Sequence, residues 1–271
     1  MKIRFGDMRW PEIEEVLRKP HVVILPIGST EQHGRHLPVN FDSYSAMYIG
    51  EQAARRVTDE YEIHVLVAPT IPYSETFGRP PFDQLLPGNI CISPDTIIRL
   101  VEEVTRSLVN QGFKNILVLN SHVENTAPIA VALRKVSIES KDAGLYAVNW
   151  FLLASEARST ICKDGKAGLG HACELETAMA LAIEPENVRL DAVVKGSQSF
   201  SLPEKYITPA PFGPVFYHSR LGGVRVSGVM GDPSTANEET GRKCIAAFVD
   251  DLTEIILSIA KSESMTFEEK P

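Results

Sequence analysis

Glu31, His33 and Asp42, joined much later in the chain by His122 and Glu124, are side chains of the kinds that bind divalent cations. Three carboxylates and two imidazoles exceed the four donors of one tetrahedral zinc, and their mixture of oxygen and nitrogen suits Zn, Mn or Fe. The set predicts two divalent metal ions per subunit, with Asp42 as the bridging carboxylate between cations roughly 3.5–4 Å apart. Such a pair lowers the pKa of a shared water. Such an activated water would be the nucleophile of a metal-dependent hydrolase. Glu31 and His33 stand two apart, so an extended segment would turn both to one side, and Asp42 follows a turn-forming stretch just before a helical pattern. Taken singly, each residue has a plainer reading: a lone Asp at a helix start is an ordinary N-cap, and a lone His is an ordinary loop residue. Five of them behind two buried-strand patterns carry the metal reading.

The runs 22–27 and 116–119, which precede the two ligand segments, are rich in Val, Ile and Leu without alternation. That is the pattern of parallel strands covered on both faces. Open α/β sheets bind ligands beyond the carboxyl ends of their strands, a rim where distant segments meet. Further strands are predicted at 63–68 and 145–151, with helices at 43–57, 94–111 and 126–141 between them. Ser93 as cap, Pro94 in the first helical position and Gly112 just past the end punctuate the second helix. Right-handed βαβ crossovers then place helices on both faces of the sheet. Residues 73–94, rich in Pro and Gly, read as a loop over the site rim or a subunit contact, and 197–231 as a second irregular region. A last helix is predicted at 236–261, ahead of a polar tail at 262–271 that reads as mobile.

The run Leu25-Pro26-Ile27-Gly28-Ser29-Thr30-Glu31-Gln32-His33-Gly34-Arg35-His36-Leu37-Pro38, followed by Asp42, resembles the opening signature of the creatininase (creatinine amidohydrolase) family, with Arg35 where Pro is usual. The resemblance continues through Pro87-Gly88-Asn89-Ile90, the Asn120 to Asn125 motif, His171-Ala172-Cys173-Glu174-Leu175-Glu176-Thr177 and, more weakly, Gly231-Asp232-Pro233-Ser234. It implies a three-layer α/β/α sandwich with a mainly parallel central sheet and a two-metal amide hydrolase, a homo-oligomer that is often a hexamer. By motif, Glu31 and His122 would bind one metal, His33 the other, and Asp42 both. The fifth ligand divides the family: Glu124 is favoured here, with Glu176 as a ligand or a group that orients one. His171 is the expected proton donor to the leaving nitrogen, since imidazole titrates near neutral pH and the motif puts it beside the metals. His36 supports the loop. Ser74, Ser121 and Val123 are read as pocket lining with backbone groups that orient the carbonyl, and Trp150 resembles a tryptophan near the creatininase pocket. Where creatininase carries aromatic and acidic residues that close over creatinine, this chain has Lys166-Ala167-Gly168-Leu169-Gly170. Creatinine is therefore expected to turn over poorly, with preference for a small, differently shaped amide that carries an anionic group near Lys166.

Composition narrows the alternatives. A chain of 271 residues with 44% hydrophobic content can bury a sizeable core, read as one metal-dependent amidohydrolase domain over 1–261. A net charge of -8 and no Lys/Arg cluster longer than Arg55-Arg56 argue against a nucleic-acid partner. Four cysteines without a CxxC suit reduced thiols and a cytoplasmic location. No segment reads as membrane-spanning, so no membrane partner is expected, and the resemblance implies a small-molecule amide as substrate. The leading function is hydrolysis of a C–N bond, other than an ordinary peptide bond, in a small, cyclic amide. The alternatives are a deformylase or peptidase-like step in a biosynthetic pathway and, in another class, a non-catalytic metal-binding assembly protein. The complete set of expected ligands, with His171, weighs against the last.

Overall fold

A computed structural model describes residues 1–76, 87–140, 142–163, 170–196 and 227–262. The strands are β1 (His21–Ile27), β2 (His64–Val67), β3 (Asn115–Asn120) and β4 (Gly144–Asn149). The helices are α1 (Trp10–Leu17), α2 (Phe41–Glu60), α3 (Pro94–Asn110), α4 (Thr126–Glu139), α5 (Ser155–Ile161), α6 (Glu174–Ile183) and α7 (Glu238–Ser262). All strand pairs are parallel, in the order β2-β1-β3-β4. Successive residues of β1 point to opposite faces: Val22 and Ile24 join α2, α6 and α7, whereas Leu25 and Ile27 join α3 and α4. Val23 packs with α1 residue Val16 and with Phe113. The result is helix, sheet and helix in three layers, with every residue of β1, β2 and β3 buried.

Pro26 lies inside β1, where a proline should forfeit a ladder bond. The Ile24 and Pro26 carbonyls accept from Ala68 and Ile71, so this side of β1 faces the chain leaving β2, which ends at Val67. The missing N–H therefore points beyond β2 and costs no strand pairing. At α3 the Ser93 hydroxyl accepts from the Thr96 N–H, Pro94 occupies the first turn, and Gly112 adopts φ +102°. These are the expected start and stop signals. Two element ends differ from the sequence reading. The last strand stops at Asn149 and the chain turns into a 3-10 helix, Trp150–Leu152, whose aromatic residues enter the core. Asp42 lies within the first turn of α2, rather than capping it. Residues 164–169, most of 197–231 and the tail after 262 lie outside the described residues, as do 77–86 of the rim loop.

The strand order changes direction at β1 and β3: from β1 the chain crosses first to β2 and then, by way of α3, to β3 on the other side. Ile27 pairs with Asn120, so the two strands end together at this switch point. The segments that follow them enter the same rim.

Candidate metal centre

Gly28 turns the chain out of β1 directly beneath α2. A Cβ on Gly28 would lie 2.5 Å from the Ser43 nitrogen, so no larger residue lets α2 approach this closely. Ser121 and Asn125, from the segment after β3, tie the two ligand loops together. The Ser121 hydroxyl contacts the Asp42 carbonyl at 2.6 Å and that of Ile27 at 3.1 Å, and the Asn125 amide donates to the Gly28 carbonyl at 3.0 Å. Asn120 brackets His122, accepting from its N–H and donating to its carbonyl, while Asn149 holds the Asn120 amide from β4. Ser121 thus shapes the backbone under Asp42, and Asn120 and Asn149 are positioning residues that ligand chemistry alone did not single out.

The donors fall into two groups. Ligand atoms of Glu31, Asp42 and His122 lie within 4.8 Å of one another, as do those of His33, His171 and Glu176. Glu31 and His33 belong to different groups, so the shared side expected of an extended segment does not occur. Gly34, at φ +65°, turns the chain, and His33 makes short bridges to Arg35 and Leu37 instead of running on as a strand. Asp42 joins the groups: one carboxylate oxygen lies 3.3 Å from His33 Nε2 and the other 3.2 Å from His122 Nδ1.

Backbone carbonyls settle which nitrogen of each ring faces the carboxylates. His33 Nδ1 lies 3.0 Å from the Glu31 carbonyl, and His122 Nε2 lies 2.8 Å from the Glu75 carbonyl. A carbonyl only accepts, so those nitrogens carry hydrogen, and with the rings neutral the opposite ones, His33 Nε2 and His122 Nδ1, would be the atoms that ligate a cation. Glu124 sits behind His122, its Oε2 3.2 Å from Nε2, whereas Glu176 Oε2 approaches His33 Nε2 at 4.0 Å. Glu176 also accepts from the Ala172 N–H at 2.5 Å. Ala172 adopts φ +50°, a left-handed conformation that costs about 1–2 kcal/mol for a residue with a Cβ. This turn sets His171 and the first turn of α6 against the same cluster.

Burial and like charge shape the electrostatics. Burial alone would lower the His33 imidazole, but the Asp42 carboxylate, with Glu176 and Glu31, lifts it to about 10. Burial would raise Asp42, yet His33 and His122 hold it below the usual carboxylate range. Burial pushes Glu124 up to about 8 and Glu176 to about 7, each opposed by its histidine neighbour. His171 goes the other way, lowered by burial and by His33 to about 3. It is a neutral ring here, rather than the imidazole titrating near neutral pH that the sequence suggested.

The remaining predicted residues are placed as follows. Ser74 is buried, its hydroxyl donating to the Glu75 carbonyl. Val123 begins the 3-10 turn Val123–Asn125 and packs partly against the core. Trp150 is fully buried against Phe151 and Phe248, within the core rather than among the donors. His36 contacts the Thr177 hydroxyl at 2.9 Å, bracing the loop on α6.

A model of the creatininase (creatinine amidohydrolase) family matches residues 6–256. The chain belongs to the creatininase family. It is a hydrolase of that family. Among its relatives is the mycofactocin precursor peptide peptidase of Mycobacterium ulcerans, 31% identical over 84% of this chain and 82% of the relative. The 3-dehydro-scyllo-inosose hydrolase of Thermotoga maritima is 25% identical over 95% of this chain and 83% of that protein. Among solved structures, the manganese form of creatininase superposes with a TM-score of 0.77 at 22% identity, over 95% of this chain and 98% of that one, a likeness of fold. No helix among the described residues is long and apolar enough to cross a membrane.

Proposed function

We propose that this protein is a two-metal hydrolase of a C–N bond in a small amide. The observation that carries this reading is the carboxylate of Asp42, which offers one oxygen to each donor group. The donor set fits cations on independent grounds. His33 Nε2 and Asp42 Oδ2 are buried and make no hydrogen bond. Among the described residues the ion-pair partners of Asp42, Glu124 and Glu176 are histidines, not lysine or arginine. Several carboxylates buried together are costly without compensating positive charge, which two divalent ions supply. Glu31, Asp42 and His122 would hold one ion; Asp42, His33 and Glu176 would hold the other, with Glu124 supporting His122 from behind.

Bound there, the ions supply an activated water and a polarised carbonyl oxygen. His171, neutral and beside His33, takes up the proton lost by the attacking water and returns it to the leaving nitrogen. Gln32 holds its Nε2 edge, and Ser121 and Asn120 keep the two ligand loops in register. A homo-oligomer accords with the family resemblance, and light scattering in solution gives its size.

A second reading, cleavage of a precursor peptide, draws on the 31% identity to the mycofactocin precursor peptide peptidase. Turnover of a panel of lactams, creatinine, formamides and short peptides by Mn- or Zn-reconstituted protein decides between them. A small amide as the best substrate supports the first reading, a peptide as the best substrate the second. No turnover of any member, with both ions bound, would overturn both.

A further inference from the structure

We propose that Asn89 is a positioning residue that sets the spread between the two donor groups by fixing the stretch of backbone that joins them. The inference deepens the two-metal reading and rests on it. Glu31 belongs to one group and His33 to the other, so Gln32 is the single residue between ligands of different ions. The Gln32 N–H donates to Asn89 Oδ1 at 2.6 Å, a contact that spans 57 residues. A backbone N–H only donates, so the oxygen of the Asn89 amide is the atom that faces it. The backbone on either side is held as well. The Ile90 N–H donates to the Thr30 carbonyl at 2.9 Å, and the Glu31 N–H to the Val39 carbonyl at 2.9 Å. Those two bonds run from backbone to backbone, so Asn89 is the member of the series that a substitution can remove.

The segment that carries Asn89 is built to reach this loop. Gly88 adopts φ +111°, and a Cβ there would fall 2.7 Å from Val39 Cγ1, so the turn presenting Asn89 closes on the same loop that it holds. The segment is also tied to the far side of the rim. The Ile92 N–H donates to the Ser74 carbonyl at 2.9 Å, and Ser74 forms a short parallel bridge with Cys91. One residue beyond Ser74, the Glu75 carbonyl lies 2.8 Å from His122 Nε2. The two arms, 73–76 and 87–92, are thus joined to each other and touch both ligand segments: the one after β1 through Asn89, the one after β3 through Glu75. Ligands shared between two ions must be held to within about 0.5 Å, and contacts outside the donor set do this at metal sites. Asn89 itself is partly exposed, so its replacement removes the contact without opening the core.

The test is electron paramagnetic resonance of the manganese-loaded protein, with manganese counted by elemental analysis on the same samples. Two ions that share a carboxylate give an exchange-coupled signal, and ions held apart do not. The unmodified protein should bind two ions per chain and show the coupled signal. Asn89→Ala should weaken that signal and lower the affinity for at least one ion about 10–100-fold. Asn89→Asp keeps an oxygen acceptor for the Gln32 N–H and should restore both. Gly88→Ala, which pushes the turn away from Val39, should cause the same loss of coupling and covers the case in which Asn89→Ala fails to fold. Coupling and affinity unchanged in Asn89→Ala and Gly88→Ala, or a loss that Asn89→Asp does not restore, overturns the proposal while the two-metal reading stands. One ion per chain in the unmodified protein overturns that reading and the proposal with it.

Discussion

The imidazole of His33 lies against that of His171, with ring centroids 4.3 Å apart and planes inclined at 38°. Two rings this close do not both hold positive charge, so the protonation of one opposes that of the other. The carboxylates favour charge on His33, and His171 stays neutral. His171→Asn is accordingly expected to keep the fold and both ions while turnover at neutral pH falls roughly 10²–10⁴-fold, the usual contribution of general acid–base catalysis. Elemental analysis alongside kinetics checks it; loss of an ion would make His171 a ligand instead.

Asp42→Ala should release both ions, whereas His33→Ala should weaken only one. Metal content after dialysis against a weak chelator measures this directly. Loss of the same single ion in both variants would show that Asp42 does not bridge.

Glu176→Gln should sharply reduce affinity for one ion, because its carboxylate approaches His33 Nε2. Glu124→Gln should cost about 10–100-fold through the orientation of His122. Competition titrations with a zinc chelator rank the two, and the reverse order would return Glu124 to the ligand set.

The metal-free protein should lose stability on both sides of neutrality. His33, Glu124 and Glu176 have folded pKa values above their ordinary ones, so the folded state binds more protons. Their contribution is complete below the unfolded pKa values and is lost as pH rises through about 7 to 10. His171 is depressed to about 3, so its contribution is present above about 6.5 and lost on acidification. Bound cations displace the protons, and the gap in Tm between loaded and metal-free protein should widen as pH rises. Melting curves across pH 5 to 10, about the span of these groups, test this, and a gap independent of pH would contradict it.

Gly28→Ala should destabilise by about 1–3 kcal/mol, since the added carbon meets the backbone of Ser43 and not a movable side chain. It should also reduce metal content, because the turn of α2 that carries Asp42 must shift. Denaturant unfolding and elemental analysis of one preparation show whether the two losses occur together.

Much of this was legible from local patterns. Continuous apolar runs gave β1 and β3, and Ser93, Pro94 and Gly112 bounded α3, because those signals depend on a few neighbouring residues. The segments that carry the candidate donors follow those two strands, and were legible for the same reason. What the sequence left open depends on distant approach. Glu31 and His33 part company only because Gly34 turns the loop. The approach of Glu176 to His33 is set by the kink at Ala172 and the docking of α6. The grip of Gln32 on His171 spans 139 residues and leaves no periodic trace. Trp150, adjacent to a strand end, could face pocket or core, and only its packing on Phe248 places it.

The two donor groups draw on the ends of β1 and β3, the first turn of α2 and the start of α6, so neither exists until crossovers of considerable length have closed. Closing such loops is paid in chain entropy before any ligand can share a cation. On the proposed two-metal reading, an ion would therefore be captured late, after the sheet has formed. Interactions made after the transition state slow unfolding and leave the folding rate nearly unchanged. For this protein, cations should act as a latch on a finished fold rather than as its nucleus, prolonging the life of the native state without hastening its arrival.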